Sequence, residues 1–271
     1  MLTEAVAGHG QRDTMNSMDE AAQHLDESQR GGRRVAFFGG SFDPPHLGHL
    51  AVARAAREAF KLDTVLFAPV GAQPLKMNGS TASFEDRVEL TRLAIADEAG
   101  FAVSLADAPK PSGAPNYTID TLLKLRGELP PDAALFCLMG ADSFFGLRQW
   151  HRSAEIPFVA PPIVASRPAE RSQPRSDLLL ADLKAALPAG LTIEPVPGCD
   201  EFRSGVEVRA YLVQNPGGRQ TRLYLLPGLD VEISASEIRE QVRASLGDLS
   251  SGHGVLPDAV FEAIRARGLY Q

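Results

Sequence analysis

Apolar residues fall in short runs separated by longer amphipathic stretches. Val35-Ala36-Phe37-Phe38, closed by Gly39-Gly40, is too brief for a helix and reads as a buried parallel strand. His49 to Lys61 then carries Leu50, Ala53, Ala56 and Phe60 at helical spacing, and Thr64 to Ala68 is a second apolar run. The alternation continues with a helix over Phe84 to Glu98 and a strand over Phe101 to Leu105. Tyr117 to Leu129 is amphipathic through Ile119, Leu122, Leu123 and Leu125. Ala133 to Met139 is a strongly hydrophobic strand leading into Gly140-Ala141-Asp142. Phe158 to Ala165 and Arg222 to Leu226 supply later strands. Strands alternating with helices predict an α/β fold, a doubly wound Rossmann-like parallel sheet in a single domain.

Two stretches depart from this pattern. Met1 to Gly32 is polar and buries too little to offset its ordering entropy, so it is expected to be a disordered N-terminal extension before a domain over residues 33–271. Residues from about 169 to 222 are rich in Pro, Gly, Arg and Ser around one helix (Ser176 to Leu187) and read as an elaborated insertion. The C-terminal part is helical. Ile233-Ser234-Ala235-Ser236-Glu237, with the S-x-x-E spacing of a capping box, precedes a helix to about Leu246. A last helix starts at Pro257 and stops at Gly268.

Composition narrows the function classes. The 271 residues suit one α/β domain, and 27 basic against 34 acidic residues leave a net charge of −7, which argues against a nucleic-acid-binding surface. No apolar run approaches the roughly 20 residues of a membrane span, and the first thirty lack a secretory pattern. Cys137 and Cys199 cannot build a disulfide framework or a four-ligand zinc site, and Cys137 reads as core. A cytoplasmic enzyme is expected. Asp120 and Lys124, four apart on one helix, suit a surface pair.

The chemistry concentrates in Gly39-Gly40-Ser41-Phe42-Asp43-Pro44-Pro45-His46-Leu47-Gly48-His49. This loop joins a strand to a helix, where an open α/β sheet places its ligand crevice. Gly39 and Gly40 let backbone N–H groups approach an anion, and the helix start favours phosphate. His46 and His49, three apart, can face the same side. The loop is neither a Walker A sequence nor a G-x-G-x-x-G fingerprint. A zinc pair and two surface histidines in a turn are the alternatives, but zinc needs a third ligand that no H-E-x-x-H or Cys pair supplies.

H-x-G-H after a strand resembles the motif of the adenylyl- and cytidylyltransferase superfamily. Further segments, in order from about residue 34 to 271, are similar to one branch, the bacterial nicotinate-nucleotide adenylyltransferases. Pro74-Leu75-Lys76 stands where that family has Pro-His-Lys, followed by an Arg-containing helix at Ser83 to Arg87. Asn116-Tyr117-Thr118 resembles its S-Y-T turn, and Gly140-Ala141-Asp142-Ser143 with Trp150 its G-x-D-S and Trp segment. Ser166-Arg167-Pro168, Ile233 to Arg239, and the ending Leu256-Pro257 through Tyr270 have counterparts too.

The resemblance implies transfer of AMP from ATP to nicotinate mononucleotide, with Mg2+ on the ATP phosphates and no protein-held metal. It implies catalysis by His46 and His49. ATP would lie on Gly39, Gly40, Ser41, Phe42, Gly140, Asp142, Ile233, Ser236 and Arg239. Nicotinate mononucleotide would lie on Lys76, Tyr117, Thr118 and Trp150. Its partners would be these small molecules, with neither nucleic acid nor membrane, and the insertion leaves self-association open.

Each residue also has a structural reading. Tyr117 could be core with Thr118 as a helix cap, Trp150 a packing residue, Asp142 or Ser234 a cap, and Lys76 a solvated charge. Nicotinamide mononucleotide and phosphopantetheine are rival substrates, and a nucleotide-binding regulator is a rival class. Two departures stand out: Leu75 replaces the usual His, and the 169–222 stretch is longer than in resembling sequences.

Overall fold

Consecutive apolar residues cover both faces of the first strand, which places it in the middle of a sheet rather than at an edge. The computed structural model describes residues 32–73, 80–166, 180–198, 201–229, 235–244 and 254–271. Its strands are β1 (Arg34–Gly40), β2 (Thr64–Pro69), β3 (Phe101–Val103), β4 (Ala134–Gly140) and β5 (Pro162–Ala165). Four more follow: β6 (Thr192–Pro195), β7 (Glu201–Arg203), β8 (Val206–Gln214) and β9 (Gln220–Leu226). The longer helices are α1 (Leu47–Phe60), α2 (Phe84–Ala94) and α3 (Thr118–Glu128). Shorter ones are α4 (Ala141–Phe145), α5 (Ile156–Val159) and α6 (Leu180–Ala186), and the chain closes with α7 (Ala235–Ala244) and α8 (Asp258–Arg267).

Strand order is β3-β2-β1-β4-β5-β9-β8-β6, with β7 paired to β8. β3 through β9 in that order run parallel, with Phe37 opposite Leu66 on one side and Cys137 on the other. Chain order reverses direction between β1 and β4, so their C-terminal ends frame the crevice where such sheets bind ligands. Helices cover both faces. Leu50, Ala53 and Phe60 of α1 pack with Leu90 of α2 and Phe261 of α8 in one layer. Ile119, Leu122 and Leu125 of α3 join Leu183 of α6 in the other. Cys137 is buried in this second layer as expected, and burial pushes its thiol up to about 12.

The sheet is mixed rather than wholly parallel, which corrects the sequence expectation for its far edge. β8 runs antiparallel to both β9 and β6. The cause is the turn Asn215-Pro216-Gly217-Gly218, in which Gly218 takes φ +80° and Asn215 Oδ1 accepts from Arg219 N at 2.9 Å. A loop this short can only return the chain antiparallel. Much of the expected irregular insertion is therefore sheet.

Other boundaries move for local reasons. Phe158 to Ala165 is not one strand: Pro157 sits in the first turn of α5, and β5 begins only at Pro162. α2 ends at Ala94 because Ile95 leaves helical geometry (φ −108°, ψ 9°). α8 has Pro257 as its N-cap and stops at Gly268 in the left-handed region (φ 61°), as the sequence predicts. Asp120 faces Arg152 at 3.6 Å rather than Lys124. The expected N-terminal extension up to residue 31, Lys76 with Leu75, Arg167-Pro168, Cys199, Ile233, the Ser234 cap and the helix end at Leu246 lie outside the described residues. No helix among the described residues is long and apolar enough to cross a membrane.

Candidate active site

Where β1 and β4 diverge, the structure opens a cavity of about 910 Å³, within the roughly 300–1,000 Å³ range of ligand sites. Its floor is the β1–α1 loop. Gly39 is confined here: a Cβ would lie 2.7 Å from Phe37 Cζ, and one on Gly40 would lie 3.2 Å from Phe42 Cζ. Sequence reasoning assigns these glycines to the approach of an anion; the structure adds that the Phe37 ring of the same strand crowds out a side chain at Gly39, and that the Phe42 ring of the loop leaves a tight fit at Gly40. Gly140, at the end of β4, differs, because a Cβ there would meet nothing within 4 Å. It borders open space.

His46 is the N-cap of α1 and His49 its third residue, so the helix start brings both rings to one side, 3.7 Å apart between centroids and 32° from parallel. His46 N–H donates to His49 Nδ1 at 3.2 Å. With Nδ1 accepting, the neutral ring carries its proton on Nε2 as a donor. Burial, and then the neighbouring His46, hold His49 well below the ordinary histidine range, so it is neutral at physiological pH. Phe42 supports it edge-on at 4.9 Å and is itself packed against Phe38 and Phe67. Phe42, which the sequence assigns to ATP, lines the cavity while its ring packs in the core and its backbone adopts φ +46°.

The loop is anchored by residues that sequence reasoning did not assign to the site. Asp43, 4% exposed, accepts from Thr81 N (2.6 Å), Ala82 N (3.1 Å) and Tyr270 Oη (2.8 Å). Burial, then Asp43, raise the Tyr270 hydroxyl, so it stays a donor. Arg87, 2% exposed, sends Nη1 to Ser41 O (2.7 Å) and Nη2 to Val70 O (2.8 Å). Burial lowers this guanidinium's hold on its proton, and Asp43 is the largest of the charges opposing that. Ser41 Oγ pairs with the Gln73 side chain at 3.2 Å, tying this loop to the one after β2.

Ser236 and Arg239 reach the cavity from α7. Arg239 donates through Nη1 to Asp43 O (2.6 Å) and through Nη2 to Ser236 Oγ (3.1 Å). Asp142 lines the wall from the second position of α4, whose N-cap is Gly140; it does not cap that helix.

The third wall is aromatic. Tyr117, Thr118 and Trp150 all line it, and both aromatic residues, each partly buried, also pack against the second core layer. Tyr117, not Thr118, is the N-cap of α3, and it makes no side-chain cap. His151, unassigned from sequence, stacks on Tyr117 at 4.3 Å and 32°. Asn116 lines the cavity and braces it: Oδ1 accepts from Ala72 N and Nδ2 donates to Ala108 O. Asp107 beside it, bonded by Thr121 Oγ1 at 2.7 Å, is raised by burial. The cavity thus collects thirteen of the fifteen residues expected from sequence, and Lys76 and Ile233 are the two outside the described residues.

Such a wall arrangement suits two ligands, one phosphorylated end of each meeting at the histidines. Among the described residues no group of three or more His, Cys, Asp or Glu is placed to hold a metal ion.

The model of the cytidylyltransferase-like family matches residues 37–241. A probable nicotinate-nucleotide adenylyltransferase of Gloeobacter violaceus is 36% identical over 239 residues, 88% of this chain and 97% of that protein. One of Stenotrophomonas maltophilia is 37% identical over 239 residues, 87% of this chain and 96% of that protein. Among solved structures, Plasmodium falciparum nicotinic acid mononucleotide adenylyltransferase complexed with NaAD superposes with a TM-score of 0.60, covering 88% of this chain and 97% of the other. At 15% identity that likeness is one of fold.

Proposed function

The chain belongs to the cytidylyltransferase-like family, and from that premise we infer that it is an adenylyltransferase of nicotinate mononucleotide. It transfers AMP from ATP, giving nicotinate adenine dinucleotide and pyrophosphate, a step of NAD biosynthesis. The observation that carries the reading is the stacked His46–His49 pair at the β1/β4 divergence, facing an aromatic wall across one cavity.

The attacking group is the substrate's phosphate monoester, largely dianionic near neutral pH because its second pKa is about 6. One of its oxygens bonds the α-phosphorus of ATP as the bond to the β-phosphate oxygen breaks, and pyrophosphate leaves with that electron pair. No protein base is needed. The protein must hold two anions in line and spread charge at the α-phosphorus. Neutral His49 offers Nε2–H to the transition state and the leaving pyrophosphate, and His46 contacts the α-phosphate. Ser236 and Arg239 receive the triphosphate, with Gly39, Gly40 and Ser41 under it and Gly140 and Asp142 beside the nucleoside. Ile233 is assigned to ATP and Lys76 to the substrate phosphate from sequence alone.

Mg2+ enters as part of the ATP substrate, since it keeps water and phosphate ligands. Trp150 stacks on the pyridine ring, and the start of α3 at Thr118 receives the carboxylate. Residues 33–271 are taken as one nucleotidyltransferase domain acting in the cytoplasm.

A pyrophosphate-release assay with ATP tests this by comparing nicotinate mononucleotide, nicotinamide mononucleotide and phosphopantetheine. The first is expected to be preferred, and preference for either other substrate overturns the assignment. His49→Ala should lower kcat on the order of 10²–10³-fold, the usual loss for such a donor. A folded His49→Ala enzyme with near-normal turnover would remove the mechanism.

A further inference from the structure

We propose that Tyr270 is a positioning residue for the catalytic loop, acting through Asp43 so that the segment carrying α8 clasps the loop on both sides of His46. The inference rests on the reading of His46 and His49 as the catalytic pair. Three observations carry it. Tyr270 Oη donates at 2.8 Å to the carboxylate of Asp43, three residues before His46, and both residues are buried. One residue beyond His46, Leu47 N donates at 2.9 Å to Val255 O, so the chain leading into α8 satisfies the first N–H of α1. Finally, Tyr270 holds φ +67°, a left-handed conformation that is rare for a bulky side chain and persists only where its surroundings over-determine it.

What over-determines it is the loop. The other contacts of Asp43 come from Thr81 N, Ala82 N and, at its carbonyl, Arg239 Nη1. Asp43 therefore joins α8, the start of α2 and the Arg239 side chain of the proposed triphosphate subsite at one point. Losing the tyrosine hydroxyl would leave the carboxylate held by Thr81 N and Ala82 N alone, untied from the α8 segment, and the peptide carbonyl that orients Arg239 belongs to the same residue. The ring, by contrast, packs in the core whether or not it carries oxygen.

Tyr270→Phe keeps the ring and deletes the donor. In the full chain, with ATP and nicotinate mononucleotide, kcat should fall about tenfold while both KM values stay within about twofold, the mark of misaligned reacting groups. Arg267→Ala is the control, because it loosens α8 from Asp86 at the surface (2.9 Å) without touching Asp43, and should leave kcat unchanged. Normal kcat in Tyr270→Phe, or an equal fall in Arg267→Ala, overturns the proposal. Should Tyr270→Phe melt below the assay temperature, Asp43→Asn takes its place: it weakens the acceptor, and an unchanged kcat there is equally fatal. His49→Ala run alongside separates the two readings. If it retains turnover the catalytic assignment falls; if it is inactive while Tyr270→Phe is normal, only the clasp falls.

Discussion

Replacing Arg87 by methionine removes the clamp between the catalytic loop and the end of β2. The guanidinium is 2% exposed and bonds Ser41 O at 2.7 Å and Val70 O at 2.8 Å. Methionine fills a similar space but takes this donor from the buried Val70 carbonyl and the part-buried Ser41 carbonyl, each costing about 1–3 kcal/mol, or about 2–6 together. Against this stands the relief of a desolvated cation whose Nε has no hydrogen-bond partner among the described residues. That relief returns on the order of 1–3 kcal/mol. Asp43 also loses a facing positive charge, so the carbonyls win and the net loss is about 1–3 kcal/mol. For a chain of this size each kcal/mol is worth roughly 2–4 °C. A melt followed by circular dichroism should drop by about 2–12 °C, and kcat should fall as Ser41 shifts. Arg87→Lys should recover little, because one ammonium cannot fork to two carbonyls. A melting temperature within about 2 °C of wild type would refute the argument.

Gly39→Ala places a methyl 2.7 Å from the Phe37 ring, which is itself buried. It should destabilise by about 1–3 kcal/mol, read as a lower urea midpoint, and an unchanged midpoint would show that the ring yields freely. His49 gives a pH signature. Its folded pKa lies below the unfolded value near 6.5, so below that pH the unfolded chain takes up a proton that the fold refuses. The stability is complete above about pH 6.5 and declines on acidification towards the folded pKa. His49→Asn should flatten that acid limb, and an identical limb in both proteins would contradict the assignment.

What could be read from sequence follows from how far apart the interacting residues lie. The glycines, prolines and histidines of the β1–α1 loop are contiguous, so their joint chemistry is visible along the chain. Arg87 meets Ser41 across 46 residues and Tyr270 meets Asp43 across 227, and no local pattern announces either. Periodicity found β1, β2 and β4 because both faces of each are apolar. It missed β8, although Asn215-Pro216-Gly217-Gly218 is a legible turn, because Pro and Gly in its surroundings read as loop. His151 escaped because a histidine beside Trp150 has no signature until Tyr117 is folded against it.

The long separation between Asp43 and Tyr270 has a consequence for synthesis. A ribosome delivers the loop 227 residues before the side chain that braces it, at a rate of about 5–20 residues per second. Once β9 has been made at Leu226, roughly 2–9 seconds of synthesis remain before Tyr270, and in that time the sheet strands, both histidines and the aromatic wall can all be present without their brace. On the proposed role of Tyr270, the loop would gain its brace only after the strands and the cavity-lining residues have been made, and a chain released before Tyr270 would carry His46 and His49 yet turn over poorly.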